Sequence, residues 1–240
     1  MKKAIINFLN RKFVRGNINR SERYGALHRA WGYVVSNHMR GDYLEFGIYT
    51  GYAFIASYEN YQELWRWIKE QLVSSEEWRV VAAEKYADFT PNFHALDTFE
   101  GMPTNDEGND NFRKGNFLSS MDAFYTRCQK AGLKEPQLKL YKGLFADNQA
   151  ALSRQMNDRK AVIINLDCDL YASTKDVFKM VHPFLQVGTV LLIDDYNSFS
   201  ADQRKGQRKA FEEFRSETNF RFEPWFPYAY VGQAFLCISD

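Results

Sequence analysis

The stretch VIINLDCDLYAST, residues 162–174, ends an unbroken apolar run with two aspartates, Asp167 and Asp169. A second run, TVLLIDDY at residues 189–196, delivers Asp194 and Asp195 in the same way. Apolar runs that do not alternate with polar residues suit strands buried on both faces. Between them STKDVFKMVHPFL carries a helical pattern and Gly188 marks a turn, so the pair reads as strand, helix, strand. Repetition of that unit predicts an α/β chain: a mostly parallel sheet, helices on both faces, and a ligand crevice outside the carboxyl ends of the strands.

Working outward, GDYLEFGIYTGYAF (41–54) reads as a turn, a short strand, a glycine loop and a helix start. FHALD (93–97) and QLKLYKG (137–143) are further strands, and LSSMDAFYTRCQKAGL (118–133) and FADNQAALSRQM (145–156) are helices. Residues 60–78 read as one helix with a packing stripe of Leu64, Trp65, Trp67, Ile68 and Leu72. The polar segment TNDEGNDNFRKGNF (104–117) is expected as a mobile or ligand-ordered surface loop. After the helix KGQRKAFEEFRSE, FRFEPW and QAFLCIS are close enough to pair antiparallel at a sheet edge. The resulting division is a helical arm or lid over 1–40 and an α/β domain over 41–240.

A chain of 240 residues with 45% hydrophobic content fits one folded domain. Its net charge of +1 supplies no general pull toward nucleic acid or anionic lipid. The basic beginning MKKAIINFLNRKFVRGNINRSER is the local exception, with Ile5, Ile6, Phe8, Leu9, Phe13 and Val14 along one helical face. It suits a lid, an arm packed on the body or a second copy, or a membrane contact, and it lacks the apolar core of a secretory signal. No run is apolar enough to span a bilayer. Cys128, Cys168 and Cys237 are odd in number and widely spaced, which predicts free thiols in a reducing, cytoplasmic setting.

The chemistry-bearing residues fall at strand ends. Glu45, Gly47 and Gly51 form E-x-G-x-x-x-G, where glycine permits a tight turn and close backbone approach to a ligand. Asp97 ends its strand as an acceptor for a ribose diol. Asp167, Asp194 and Asp195, from adjacent strand ends, suit a hard divalent cation such as magnesium. Asp169 is placed beside that cation, as a hydrogen-bond acceptor or general base. His28, His38, His94 and His182 are not spaced as a metal set, though His28 could reach the cleft from the N-terminal region. Arg204, Lys205, Arg208 and Lys209 form either a solvated face or a contact for an anionic substrate.

A D-x-D pair alone suits a phosphatase, a nucleotide-sugar glycosyltransferase or a metal-assisted methyltransferase, and a non-catalytic binding protein can share the fold. The set YLEFGIYTG, ALDTFEGMP, LDCDLYAST and LLIDDY resembles the macrocin O-methyltransferase family over about residues 43–196. That resemblance implies a Rossmann-like class I fold, a mostly parallel seven-stranded sheet with an antiparallel edge strand. It implies S-adenosylmethionine as methyl donor, magnesium or another hard divalent ion, and a small hydroxyl-bearing acceptor, a sugar or sugar-bearing natural product. By the same likeness Glu45, Gly47, Gly51 and Asp97 would bind the cofactor, Asp167, Asp194 and Asp195 the metal, and Asp169 would be the base. Tyr52 departs from the pattern, standing where relatives often have a small residue.

Overall fold

The computed structural model describes the backbone of residues 2–239 and the side chains of residues 19–239. The apolar face from Ile5 to Val14 lies outside the described side chains. In chain order the elements are α1 (Lys2–Ser36), β1 (Asp42–Phe46), α2 (Tyr52–Gln71), α3 (Glu77–Glu84), β2 (Phe93–Asp97), α4 (Met121–Lys130) and β3 (Leu138–Lys142). There follow α5 (Phe145–Met156), β4 (Ala161–Leu166), α6 (Tyr171–Val181), β5 (Val190–Ile193), α7 (Gly206–Glu217), β6 (Arg221–Tyr228) and β7 (Gly232–Ile238). They build a seven-stranded sheet in the order β3-β2-β1-β4-β5-β7-β6. Strands β1 to β5 are parallel, and β7 pairs antiparallel with both β5 and β6, so the reversed strand lies one place in from the edge.

Two apolar clusters cover the two faces. One joins α1, α2 and α4 to the sheet through Trp31, Tyr43, Phe54, Tyr61, Phe93 and Phe124. The other packs α5, α6 and α7 through Leu44, Phe46, Ile164, Phe178, Leu191 and Phe211. β4 and β5 are buried at every position, which is why their sequence runs are apolar throughout. Helix α1 joins the core from Ala26 onward, with Trp31 donating to the Ser57 hydroxyl at 2.8 Å. Among the described residues no helix is long and apolar enough to cross a membrane.

The expected helix over 60–78 is instead two. α2 starts at Tyr52 and stops at Gln71, and α3 starts at Glu77. Between them the Ser74 hydroxyl accepts from the Glu76 amide, a local side-chain bond that competes with helix continuation. Trp67 leaves the predicted stripe and is 51% exposed, while Ile68 is buried. At about 100° per residue the two side chains cannot both face the core squarely.

Strand register decides what the upper rim displays. Leu96, Phe46, Leu166 and Ile193 are level across β2, β1, β4 and β5. The ladder runs one step further, with the amide of Gly47 donating to Leu96, Asp167 to Phe46 and Asp194 to Leu166. Asp97, Gly47, Asp167 and Asp194 therefore follow one another across four neighbouring strand ends.

Strand β1 carries a buried acid near each end, in opposite states. Asp42 receives Arg159 Nε at 2.8 Å, the Asn92 amide at 2.7 Å and lies 3.1 Å from His94 Nε2, whose other nitrogen meets the Tyr141 hydroxyl. Burial pushes its pKa up, but the bonds from His94 and Arg159 outweigh this and hold it below the usual aspartate range. Glu45 accepts from the Tyr43 hydroxyl, and burial raises its pKa to about 8 despite that bond. Asp42→Asn should therefore cost on the order of 3 kcal/mol in urea denaturation at neutral pH. The contribution of Asp42 itself should fade in acid, as pH falls through its lowered pKa. Glu45 acts in the other direction: its stabilising proton is fully held below the unfolded glutamate pKa and lost as pH rises through about 8. Melting temperature should accordingly fall between about pH 5 and 8.5 more steeply in the wild type than in Glu45→Gln. Parallel curves for the two proteins would contradict this assignment.

Candidate active site

A cleft of about 760 Å³ opens over that row of strand ends. This volume is in the range of a small-molecule site. Its floor includes Gly47 to Thr50, Asp97, Asp167, Asp169, Asp194 and Asp195; Asn19, Arg20 and Arg23 of α1 and residues of the 101–117 loop complete its walls.

Gly47 sits at φ 90°, and a Cβ there would lie 1.8 Å from the Asp167 carbonyl oxygen. Only glycine lets the β1 and β4 loops pass at this distance. Gly51, at φ 77°, caps the start of α2 with its bare Cα against the Phe124 ring. Asp97 organises the same loop: Oδ2 accepts from the amides of Ile48 at 2.6 Å and Tyr49 at 3.0 Å, and Oδ1 from Phe99 at 2.6 Å. Asp97 and Gly47 reach the cleft wall, whereas Glu45 and Gly51 lie one layer behind it.

Asp167, Asp194 and Asp195 each present a carboxylate oxygen such that all three lie within 4.8 Å of one another. Asp169 stands apart from that trio. Its φ of 57° breaks the extended course of the chain after β4, and its carboxyl lies against Asp195. Burial, then the crowding of like charges, pushes Asp169 and Asp194 well above the usual carboxylate range. Asp167 is raised too, chiefly by burial, with Arg23 opposing.

Several residues that build this cluster carry no recognisable sequence signal. Gln207, fully buried on α7, accepts from the Asp195 amide at 2.8 Å and donates to the Leu166 carbonyl at 3.2 Å, bracing two strand ends. The Ser198 hydroxyl donates to Asp195 Oδ1 at 2.8 Å. Arg23 Nη1 donates to Asp167 Oδ2 at 3.1 Å, and Nη2 pairs with Asp194 Oδ2. Burial works against the Arg23 charge, but Asp167 and Asp194 outweigh it and keep the guanidinium protonated.

The donor set fits a hard cation. It is all carboxylate oxygen, and among the described residues the buried Tyr228 hydroxyl near it has no hydrogen-bond partner. The carboxylate of Asp194 is among the groups acting on Tyr228, which places that hydroxyl beside the cluster. Histidines are absent from it. His28 bonds Asn60 at 2.8 Å instead of reaching the cleft, His94 serves Asp42, and His182 packs edge-on to Phe214 and Phe220.

The 104–117 loop, expected to be mobile or ordered by a ligand, is tied to the body at several points. Met102 and Asn116 pair backbone to backbone, Phe112 is buried against Phe199, and Glu107 accepts from the Tyr171 amide at the start of α6. The basic residues after β5 are engaged locally: Arg204 with Asp202, Arg208 over the Tyr196 ring and Lys209 over the Tyr171 ring. The three cysteines are free and buried.

Known proteins give this geometry its context. NovP, an O-methyltransferase, matches with TM-score 0.65 at 19% identity over 91% of this chain and 80% of its own. CalS11, a calicheamicin methyltransferase, matches with TM-score 0.61 at 15% identity over 90% and 79%. TomG, an O-methyltransferase from Streptomyces achromogenes solved with S-adenosylmethionine, matches with TM-score 0.53 at 11% identity over 90% and 79%. At these identities the structures establish the shared fold. No curated protein sequence matches the chain. The family described as macrocin-O-methyltransferase (TylF) matches residues 81–224, more than half of the chain and including both aspartate-bearing strand ends. The chain therefore belongs to the macrocin-O-methyltransferase family and is a class I S-adenosylmethionine-dependent O-methyltransferase.

Proposed function

We propose that this enzyme methylates a hydroxyl of a sugar or sugar-bearing natural product with the help of a divalent cation held by Asp167, Asp194 and Asp195. The observation that carries the reading is the convergence of three carboxylate oxygens within 4.8 Å, at the floor of a cleft shared with the Gly47 loop and Asp97. The acceptor class is supported by the family's macrocin description and by CalS11, described as a TDP-rhamnose 3'-O-methyltransferase of calicheamicin biosynthesis.

S-adenosylmethionine supplies an electrophilic methyl group. In this reading Gly47 and Asp97 meet it at the cleft wall, while Glu45 and Gly51 hold the loop in shape from behind. A hard cation, when bound, supplies the positive charge that acidifies an acceptor hydroxyl. Asp169, outside the trio, on the cleft floor and against Asp195, takes the hydroxyl proton. Met102, Phe112 and Phe199 keep water from that side of the cleft. The 1–40 segment acts as a lid, since Asn19, Arg20 and Arg23 stand on the cleft wall.

Two tests follow, both read as transfer of labelled methyl to a panel of glycosides. Asp194→Asn and Asp195→Asn should each lower turnover on the order of 100-fold or more, the scale of several kcal/mol of lost charge stabilisation, with S-adenosylhomocysteine affinity retained. Full activity of both variants in excess chelator would rule out the cation. Asp169→Asn should slow the single-turnover rate by roughly 100-fold to 10,000-fold at saturating magnesium; a wild-type rate would remove Asp169 from the role of base.

A further inference from the structure

Arg23 holds two of the three carboxylates that define the cation site, bonding Asp167 Oδ2 at 3.1 Å and pairing with Asp194 Oδ2. We propose that Arg23 is an exchangeable internal counter-ion: its guanidinium closes the acidic cluster, and a divalent cation entering the cluster displaces it and releases the adjoining turn of α1 from the cleft. The inference rests on the cation reading above and extends it to the part of the chain that must move.

Exchange follows from lone pairs and charge. A hard cation binds carboxylate oxygens at roughly 2.0–2.6 Å, so it competes with the guanidinium for the same two carboxylates and repels it at close range. One guanidinium faces Asp167, Asp194 and Asp195 and offsets a single negative charge; a divalent ion offsets two. The cluster therefore gains from the substitution, and the extended Arg side chain can turn to water on the exposed side of α1.

The fold confines the movement to a short stretch. Residues 20–22 of α1 are exposed and residues 23 and 24 only partly buried, and continuous core packing begins at Ala26. The half beyond Ala26 is anchored by Trp31 on Ser57 and His28 on Asn60. Ahead of it, the contacts to the body are weaker in kind: half-buried Tyr24 packs at the margin of the core and its carbonyl accepts from Asn60 at 3.5 Å, Tyr52 donates to the Arg20 carbonyl at 3.2 Å, and the Arg20 guanidinium lies 5.3 Å from the centre of the Tyr52 ring. Loss of the Arg23 ion pair thus loosens the turn at 19–24 without unseating the helix.

The test uses the full-length protein and Mn2+ alone as the probe. Free Mn2+ is followed by electron paramagnetic resonance for wild type, Arg23→Gln and Arg23→Lys, and hydrogen exchange is followed over residues 19–30 of the wild type with and without Mn2+. Exchange of Arg23 predicts Mn2+ affinity on the order of 10-fold tighter in Arg23→Gln, because one competing charge is gone. It also predicts an Mn2+-dependent rise in exchange at residues 19–24, with residues 26–34 unchanged. Equal or weaker Mn2+ binding by folded Arg23→Gln would overturn the proposal, as would unchanged exchange at 19–24 in Mn2+-saturated wild type. If neither wild type nor variant binds Mn2+, the cation reading itself fails, an outcome distinct from binding without competition. Should Arg23→Gln not fold, Arg23→Lys and the wild-type exchange decide the matter: a single-point charge without the two-pronged grip should bind Mn2+ tighter than wild type, and no gain would count against displacement.

Discussion

Four parallel strands that end in step place negative charge where nothing in the sheet can neutralise it. With β2, β1, β4 and β5 level at Leu96, Phe46, Leu166 and Ile193, the next residue of each strand lies on one rim, and three of those four residues are aspartates. Asp195 and Asp169 add two more carboxyls within the same cleft. Like charges this close in a partly buried setting must be met by protons, by a cation or by a basic side chain. The solutions are divided among the acids: Asp97 is satisfied by three backbone amides, Asp167 and Asp194 by Arg23, and Asp195 by the Ser198 hydroxyl.

Keeping the rim in this arrangement demands unusual backbone elsewhere. Gly47 is confined by the Asp167 carbonyl, so the loop after β1 and the acidic end of β4 are fixed relative to one another. Asp169 adopts a left-handed conformation, and Phe199, Ser200 and Ala201 do so in succession. For non-glycine residues each such conformation costs roughly 1–2 kcal/mol, offset here by tertiary contacts. The turn at 199–201 sets the Phe199 ring against Phe112 and so attaches the 101–117 loop to the strand end that bears Asp194 and Asp195. Gln207 continues the brace from α7 to Leu166. The Gly47 loop, the acidic cluster and the 101–117 loop are therefore one mechanical unit, and strain is concentrated at its joints.

The two buried acids of β1 illustrate how one strand serves stability and function. Asp42, at the lower rim, is kept ionised by Arg159 and His94, tying β1 to β2 and to the start of β4. Glu45, near the upper rim, has no cation in contact and is pushed toward its neutral form by burial. The two carboxyl groups thus end in opposite states, because Asp42 bonds Arg159 and His94 whereas the Glu45 carboxyl bonds neutral donors such as the Tyr43 hydroxyl.

Sequence by itself determined the α/β class, the strand positions and the acidic strand ends, because doubly buried strands leave continuous apolar runs and glycine marks the tight loop. It also located the three carboxylates that come together, since adjacent strands that terminate alike must display alike. It could not reveal the break between α2 and α3, the exposure of Trp67, or the tethering of the 104–117 loop, which depend on local turn bonds and on side chains far away in the chain. Arg23, Gln207 and Tyr228 were invisible for the same reason: they come from elements separated from the aspartates by dozens of residues or by a turn of helix, with no spacing rule linking them. Only tertiary packing, by laying α1 across the strand ends and α7 beneath them, decided which charges those carboxylates face.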